Sequence, residues 1–169
     1  MSIAQSMLPE FDMEMANTRK TLERLPEAKL DYKPDPKSMS MATLAGHIAE
    51  MAGWTKEVCS LPSFDIPKDF KPYVPTSAAD LVATFDKNSA AARAALAGCT
   101  DEAMMQNWSL TSQGQAFMSM PRIAVLRGMI MNHIIHHRAQ LTVYYRLNGV
   151  PVPALYGPSA DEGQMGASA

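Results

Sequence analysis

The chain has 169 residues, a length that suits one domain with a substantial core and falls short of two. Hydrophobic residues make up 47% and charged residues 19%, the balance of an ordinary globular protein. A net charge of −2 with no Lys/Arg cluster argues against a nucleic-acid groove, and no apolar run is long enough to span a bilayer. The amino terminus, MSIAQSMLPEFDMEM, has no basic region followed by an apolar one, so no signal peptide is read and the expected compartment is the cytoplasm. Cys59 and Cys99 show no Cys-x-x-Cys spacing and read as small apolar side chains. The 14 methionines fall mostly on helical faces and read as adaptable core filler.

The first helix is expected over Ile3–Leu25, where Phe11, Met15, Thr18, Leu22 and Leu25 recur three and four apart. Pro9 lies inside it, as its start or as a kink. The next stretch, Pro26–Ser38, holds Pro26, Pro34 and Pro36 and reads as an irregular connection with Leu30 and Tyr32 tucked inward.

The second helix is expected over Met41–Ser60, with Ser40 as its N-cap. His47 shares a face with Leu44, Met51, Trp54 and Val58, near the centre of an apolar stripe. An unpaired imidazole there is costly, and a shared partner relieves the cost. Glu50 follows one turn later on the same flank. It reads as a fourth ligand, an acceptor for an imidazole N–H, a general base, or a solvated helix acid.

Leu61–Pro75 is a long connection punctuated by Pro62, Pro67, Pro72 and Pro75. The segment from Ser77 to Asp80 resembles a capping box and opens the third helix, whose inner face is Leu81, Phe85, Ala92 and Leu96 and whose stop is Gly98. Thr100–Met120 alternates weakly around Gly114, as a small hairpin or an extended excursion.

The fourth helix runs from Pro121 to Asn148-Gly149 and holds His133, His136 and His137. Residues four apart share one face, so His133 and His137 point at the same spot. At about 100° per residue, Leu126, Met129, Ile130, Gln140, Leu141, Tyr144 and Leu147 share their half of the helix. This places the pair in the middle of the buried stripe, with His136 on a flank and Arg138 turned towards solvent or a neighbouring subunit. The pair reads as two cis ligands for zinc or nickel, or as two core histidines bonded to oxygens. With His47, three inward-facing histidines on two helices can converge on one ion. In the tail, Val152, Leu155 and Tyr156 are expected to pack, and residues 159–169 to form a flexible end.

Four amphipathic helices without a clear sheet pattern give the expected fold: an all-α four-helix bundle with long connections after the second and third helices, in one domain over residues 1–158. Such bundles build metal sites from facing helices.

The chain resembles the DinB (DinB/YfiT-like) family of metalloenzymes. The resemblance rests on the first helix, Leu30-Asp-Tyr-Lys-Pro34, SMSMATLAGHIAEM, NHIIHHRAQL and LNGVPVPALYGPSADE. It implies that the second and fourth helices are neighbours, and that His47, His133 and His137 hold a divalent metal, with His136 beside the motif. It also implies a homodimer, and the family name carries an association with damage-inducible expression without implying DNA binding. Three histidines leave a coordination position for water or substrate. The resemblance points to a small-molecule substrate and a metal-activated low-molecular-weight thiol, with Glu50 or Tyr144 handling protons. Attack by activated water on an ester or amide is the second enzymatic version. The competing class is a non-catalytic, stress-related binding protein whose metal is structural or vestigial.

Overall fold

The computed structural model describes residues 1–163. Three long helices come first: α1 (Ile3–Leu22), α2 (Met41–Ser60) and α3 (Ala78–Ala97). Each starts behind a serine whose hydroxyl accepts a backbone N–H: Ser2 from Gln5, Ser40 from Thr43, and Ser77 from Asp80. Such a cap satisfies one of the donors that a helix leaves open at its start. At α1 the cap is reciprocal, because the Gln5 side chain accepts from the Ser2 N–H. The helix therefore begins ahead of Pro9 and runs through it, ending at Leu22. At the end of α3, Gly98 has φ −85, so that stop does not use the left-handed freedom expected of it.

A short helix, α4 (Asp101–Met105), follows. The last helix, α5, is one continuous run in three parts: Arg122–Ala124, a π-helical segment Val125–Met131, and α-helical Asn132–Leu147. The wide turn shows at Asn132, whose N–H donates five residues back to the Arg127 carbonyl. Gly149, at φ 71, ends the helix: its N–H reaches the Arg146 carbonyl, and the Val150 N–H reaches that of Tyr145.

The expectation of an all-α four-helix bundle is corrected by the structure, which has, among the described residues, five helices and a three-stranded mixed sheet. Strand β1 (Ser63–Ile66) lies in the connection between α2 and α3, while β2 (Asn107–Ser112) and β3 (Gln115–Pro121) lie between α4 and α5. β1 pairs parallel with β2, Ser63 opposite Ser109, and β2 pairs antiparallel with β3. The hairpin turns at Gln113 and Gly114, both at positive φ (51 and 78), the pair of conformations that matches a two-residue turn to strand twist. So the hairpin expected around Gly114 is present. β1 was hidden: four residues between Pro62 and Pro67 are too few to show a period, and their order comes from a distant partner.

α5 packs against both α1 and α2, and α3 packs against the same two helices. Phe11, Leu22, Leu44, Ile48, Leu81, Phe85, Ile134 and Leu141 fill the space between them. Burying each such side chain contributes about 1.5–3 kcal/mol. Because α5 has neighbours on two sides, it has two buried faces. Arg138, expected to face solvent or another subunit, is 1% exposed and faces α1. Its guanidinium pairs with the Glu14 carboxylate at 2.7 Å and donates to the Glu14 carbonyl and the Thr18 hydroxyl, each at 3.1 Å. The Tyr156 hydroxyl closes this cluster, accepting from Arg138 and donating to Glu14.

The tail is tied down beyond Tyr156. Asp161 pairs with Arg146 at 2.7 Å and accepts the Val152 N–H; Glu162 pairs with Arg24 and accepts the Ala154 N–H. Residues 159–163, part of the end expected to be flexible, thus carry specific contacts. Residues 164–169 lie outside the described residues.

Candidate metal centre

His47 comes from the middle of α2, and His133 and His137 from consecutive turns of α5. Their ring centroids lie 5.3 Å (His47–His133), 5.0 Å (His47–His137) and 4.5 Å (His133–His137) apart. One nitrogen from each ring lies within 4.8 Å of the other two. Among the described residues this is the one convergence of histidine, cysteine and carboxylate groups that can hold a metal ion.

The hydrogen bonds decide what these rings can do. His137 Nδ1 lies 2.7 Å from Gln140 Oε1, and His133 Nδ1 lies 3.3 Å from the Met129 carbonyl. An amide oxygen only accepts, so each Nδ1 carries the proton and each neutral ring leaves Nε2 bare. The two Nε2 atoms face each other at 2.8 Å. Two lone pairs at that distance repel unless a cation lies between them, and the third imidazole stands beside them. The residues present therefore fit a divalent metal. Gln140 and the Met129 carbonyl hold the far side of each ring, the usual way an outer shell orients a metal-binding histidine.

Burial pushes the His47 pKa down to about 4, with His137 and His133 adding to the shift. Burial also lowers that of His137, against its hydrogen bond to Gln140, which works the other way. Both rings are thereby kept in the neutral, metal-ligating form at neutral pH.

The three histidines are half-buried, where the helical reading centres them in the apolar stripe. For His47 and His133 a cavity accounts for the difference. An apolar slot of about 70 Å³ has His47 and His133 in its wall with Trp54, Trp108, Met118 and Ile130. A larger cleft of about 390 Å³ shares Trp54 and Trp108 with that slot. Met129, expected on the inner stripe, is 42% exposed at the slot's edge. Over the π segment each residue turns the helix by less than an α-helical step, so a constant 100° loses phase there.

Glu50 lies in the wall of the larger cleft and is not one of the converging ligands. Burial raises its carboxyl pKa, partly opposed by the backbone N–H of Tyr73. Gly46 permits that contact, since a Cβ there would collide with the Tyr73 carbonyl as the connection crosses α2. Tyr144 is buried; its hydroxyl donates to the Met39 carbonyl at 3.3 Å, its ring meets Tyr32 edge-on, and it lines neither cavity. His136 is exposed, its ring 5.0 Å from that of His137, and stays outside the ligand group. Gln140 shares the ligand face by helical spacing, but its hydrogen bond needed the structure, as did the two tryptophans.

The fold and the site together define a helical protein with a small appended sheet and three histidines able to hold a metal. The chain belongs to the DinB family, whose family model matches residues 1–167. It is 29% identical over 156 residues to the uncharacterized protein YrdA of Bacillus subtilis (strain 168), covering 92% of this chain and 89% of that one. A solved DinB-like protein from Bacillus cereus ATCC 10987 superposes with a TM-score of 0.72 at 27% identity, covering 92% of this chain and 98% of that one. A DinB-like protein from Bacillus subtilis, YjoA, superposes at 0.66 with 21% identity over 95% of this chain and 99% of that one, which bears on the fold alone. No helix among the described residues is long and apolar enough to cross a membrane.

Proposed function

We propose that this protein is a metal-dependent enzyme that activates a thiol, or in a second version water, for attack on a small substrate. The observation that carries the reading is the facing pair of bare Nε2 atoms, 2.8 Å apart, with His47 beside them and an apolar slot against His47 and His133. Three protein nitrogens are the ligand count of catalytic sites rather than of closed, four-ligand structural ones. A divalent ion, zinc or nickel, held by His47, His133 and His137 would supply the Lewis acidity that lowers the pKa of a thiol or of water.

The chain's own groups have separate tasks. Gln140 and the Met129 carbonyl fix the ring orientations, and Trp54, Trp108, Met118 and Ile130 exclude water from the substrate's apolar part. Glu50, one turn beyond His47, receives the proton given up by the incoming nucleophile; its raised pKa suits a group that both takes and returns a proton. Tyr144 keeps a packing role, because its hydroxyl is committed to Met39. The slot beside the histidines favours this reading over a binding protein with a structural ion, which has no use for it.

The test is turnover by metal-loaded protein of a small thiol with 1-chloro-2,4-dinitrobenzene, and of p-nitrophenyl acetate without thiol. Thiol consumption abolished by His133→Ala and reduced about 100-fold by Glu50→Gln supports thiol activation with Glu50 as the proton acceptor. Ester hydrolysis alone moves the reading to the water version. Absence of metal-dependent turnover in both assays contradicts the enzyme.

A further inference from the structure

Apart from Glu50, the larger cleft carries chemistry that the metal centre does not use. Its floor is aromatic: Trp54 and Phe64 lie with ring centroids 6.3 Å apart, and Trp108 completes the wall. Its polar lining has charges of both signs, Lys56 and Lys87 with Glu50 and Glu57. Elsewhere in the protein six arginines, Arg19, Arg24, Arg93, Arg127, Arg138 and Arg146, meet carboxylates. Among the described residues the four charges of the cleft have no ion-pair partner. Trp108 is 3% exposed.

We infer that this cleft binds an amino-acid-type zwitterion of about dipeptide size, its carboxylate and ammonium taken by the unpaired lysines and acids of its lining. The volume, about 390 Å³, is that of a small-molecule site. An anion alone would leave Glu50 and Glu57 facing it, and a cation alone would leave Lys56 and Lys87 facing it. A zwitterion satisfies both signs. An apolar side arm on the ligand then passes along the shared wall of Trp54 and Trp108 towards the slot that His47 and His133 line. The inference goes beyond the metal reading and does not depend on an ion.

The protein's two tryptophans are the two that line this cleft, so intrinsic fluorescence reports its occupancy directly. The experiment titrates metal-free protein with L-leucylglycine, beside N-acetyl-L-leucylglycine, which lacks the ammonium, and L-leucylglycinamide, which lacks the carboxylate. Using metal-free protein prevents the dipeptide from registering by binding an ion. The expected result is saturable quenching by the zwitterion, with each capped form at least about tenfold weaker, the scale of one lost charge-assisted hydrogen bond. Lys87→Gln and Glu57→Gln each weaken binding by a similar factor. No saturable signal up to about 10 mM, in the range where a millimolar site fills, overturns the inference. So does equal binding of the capped dipeptides, or binding unchanged in both Lys87→Gln and Glu57→Gln.

Discussion

At His137 one ring nitrogen is held and the other left bare, and this makes the residue a ligand in waiting. Gln140 does the holding, at 2.7 Å. Gln140→Leu keeps the side chain's bulk and removes the acceptor, freeing the ring to rotate and to change tautomer. Metal affinity, measured by competition with a chromogenic chelator, is expected to fall about 10–100-fold with the far-ultraviolet circular dichroism unchanged. An unaltered affinity would mean that packing alone orients the ring. Legibility also divides at this scale. The His133/His137 pair and its convergence with His47 follow from spacing and apolar context. The tautomers do not, because they depend on the Met129 carbonyl of the π-helical segment and on an amide whose rotamer the sequence leaves free. Arg138 was misplaced for a related reason: one buried face was assigned to a helix that has two.

The buried pair between α1 and α5 is the clearest result at the level of elements. Glu14 and Arg138 lie 124 residues apart and are both almost wholly removed from water. Such a pair fixes how two helices meet, yet it is expensive to break, because the survivor is left charged and dry. Glu14→Ala is expected to lower the free energy of urea unfolding by about 3–5 kcal/mol, and Glu14→Gln, which keeps an acceptor, by less. A loss under about 1 kcal/mol, the worth of a surface pair, would contradict the burial. The tail supplies a pH dependence. Arg146 holds Asp161 below its ordinary value of 3.8, and Arg24 holds Glu162 below 4.5, with the Val152 and Ala154 N–H groups contributing. The docked tail therefore binds fewer protons than the released one. Docking is favoured above about pH 4.5 and weakens as the pH falls through and below these carboxylate values. Hydrogen exchange at the Val152 and Ala154 amides is expected to gain an acid-induced opening that core amides of α5 lack. Equal protection at all pH values would mean that the tail is held by Pro153 and Tyr156 alone. The sheet marks where reading by element fails: β2 and β3 signal themselves through Gln113-Gly114, whereas β1 has no pattern until β2 is beside it.

For the molecule as a whole, the arrangement of helices brings the site together. α5 lies between α1 and α2, so one of its faces carries the structural pair with Glu14 and another carries the ligands facing His47. The four long helices were readable from their caps and stripes, and the resemblance supplied the neighbour relation of α2 and α5. Of the added sheet, the β2–β3 hairpin was one of two readings of its stretch and β1 was not read. The hairpin's Trp108 and Met118 line the slot against His47 and His133, so an element outside the expected bundle supplies part of the cavity wall. An ion that binds the folded chain and not the unfolded one also stabilises it, so reconstituted protein should melt at a higher temperature than metal-free protein.

The most direct test of the three-histidine centre is elemental analysis of native, untagged protein beside His47→Ala and His137→Ala, each also after reconstitution and desalting. The account predicts about one divalent ion per chain in the wild type, the content of a single three-nitrogen site, lost in both variants while their helical content is retained. Wild-type protein that holds no ion after reconstitution, or variants that retain the full amount, would contradict it.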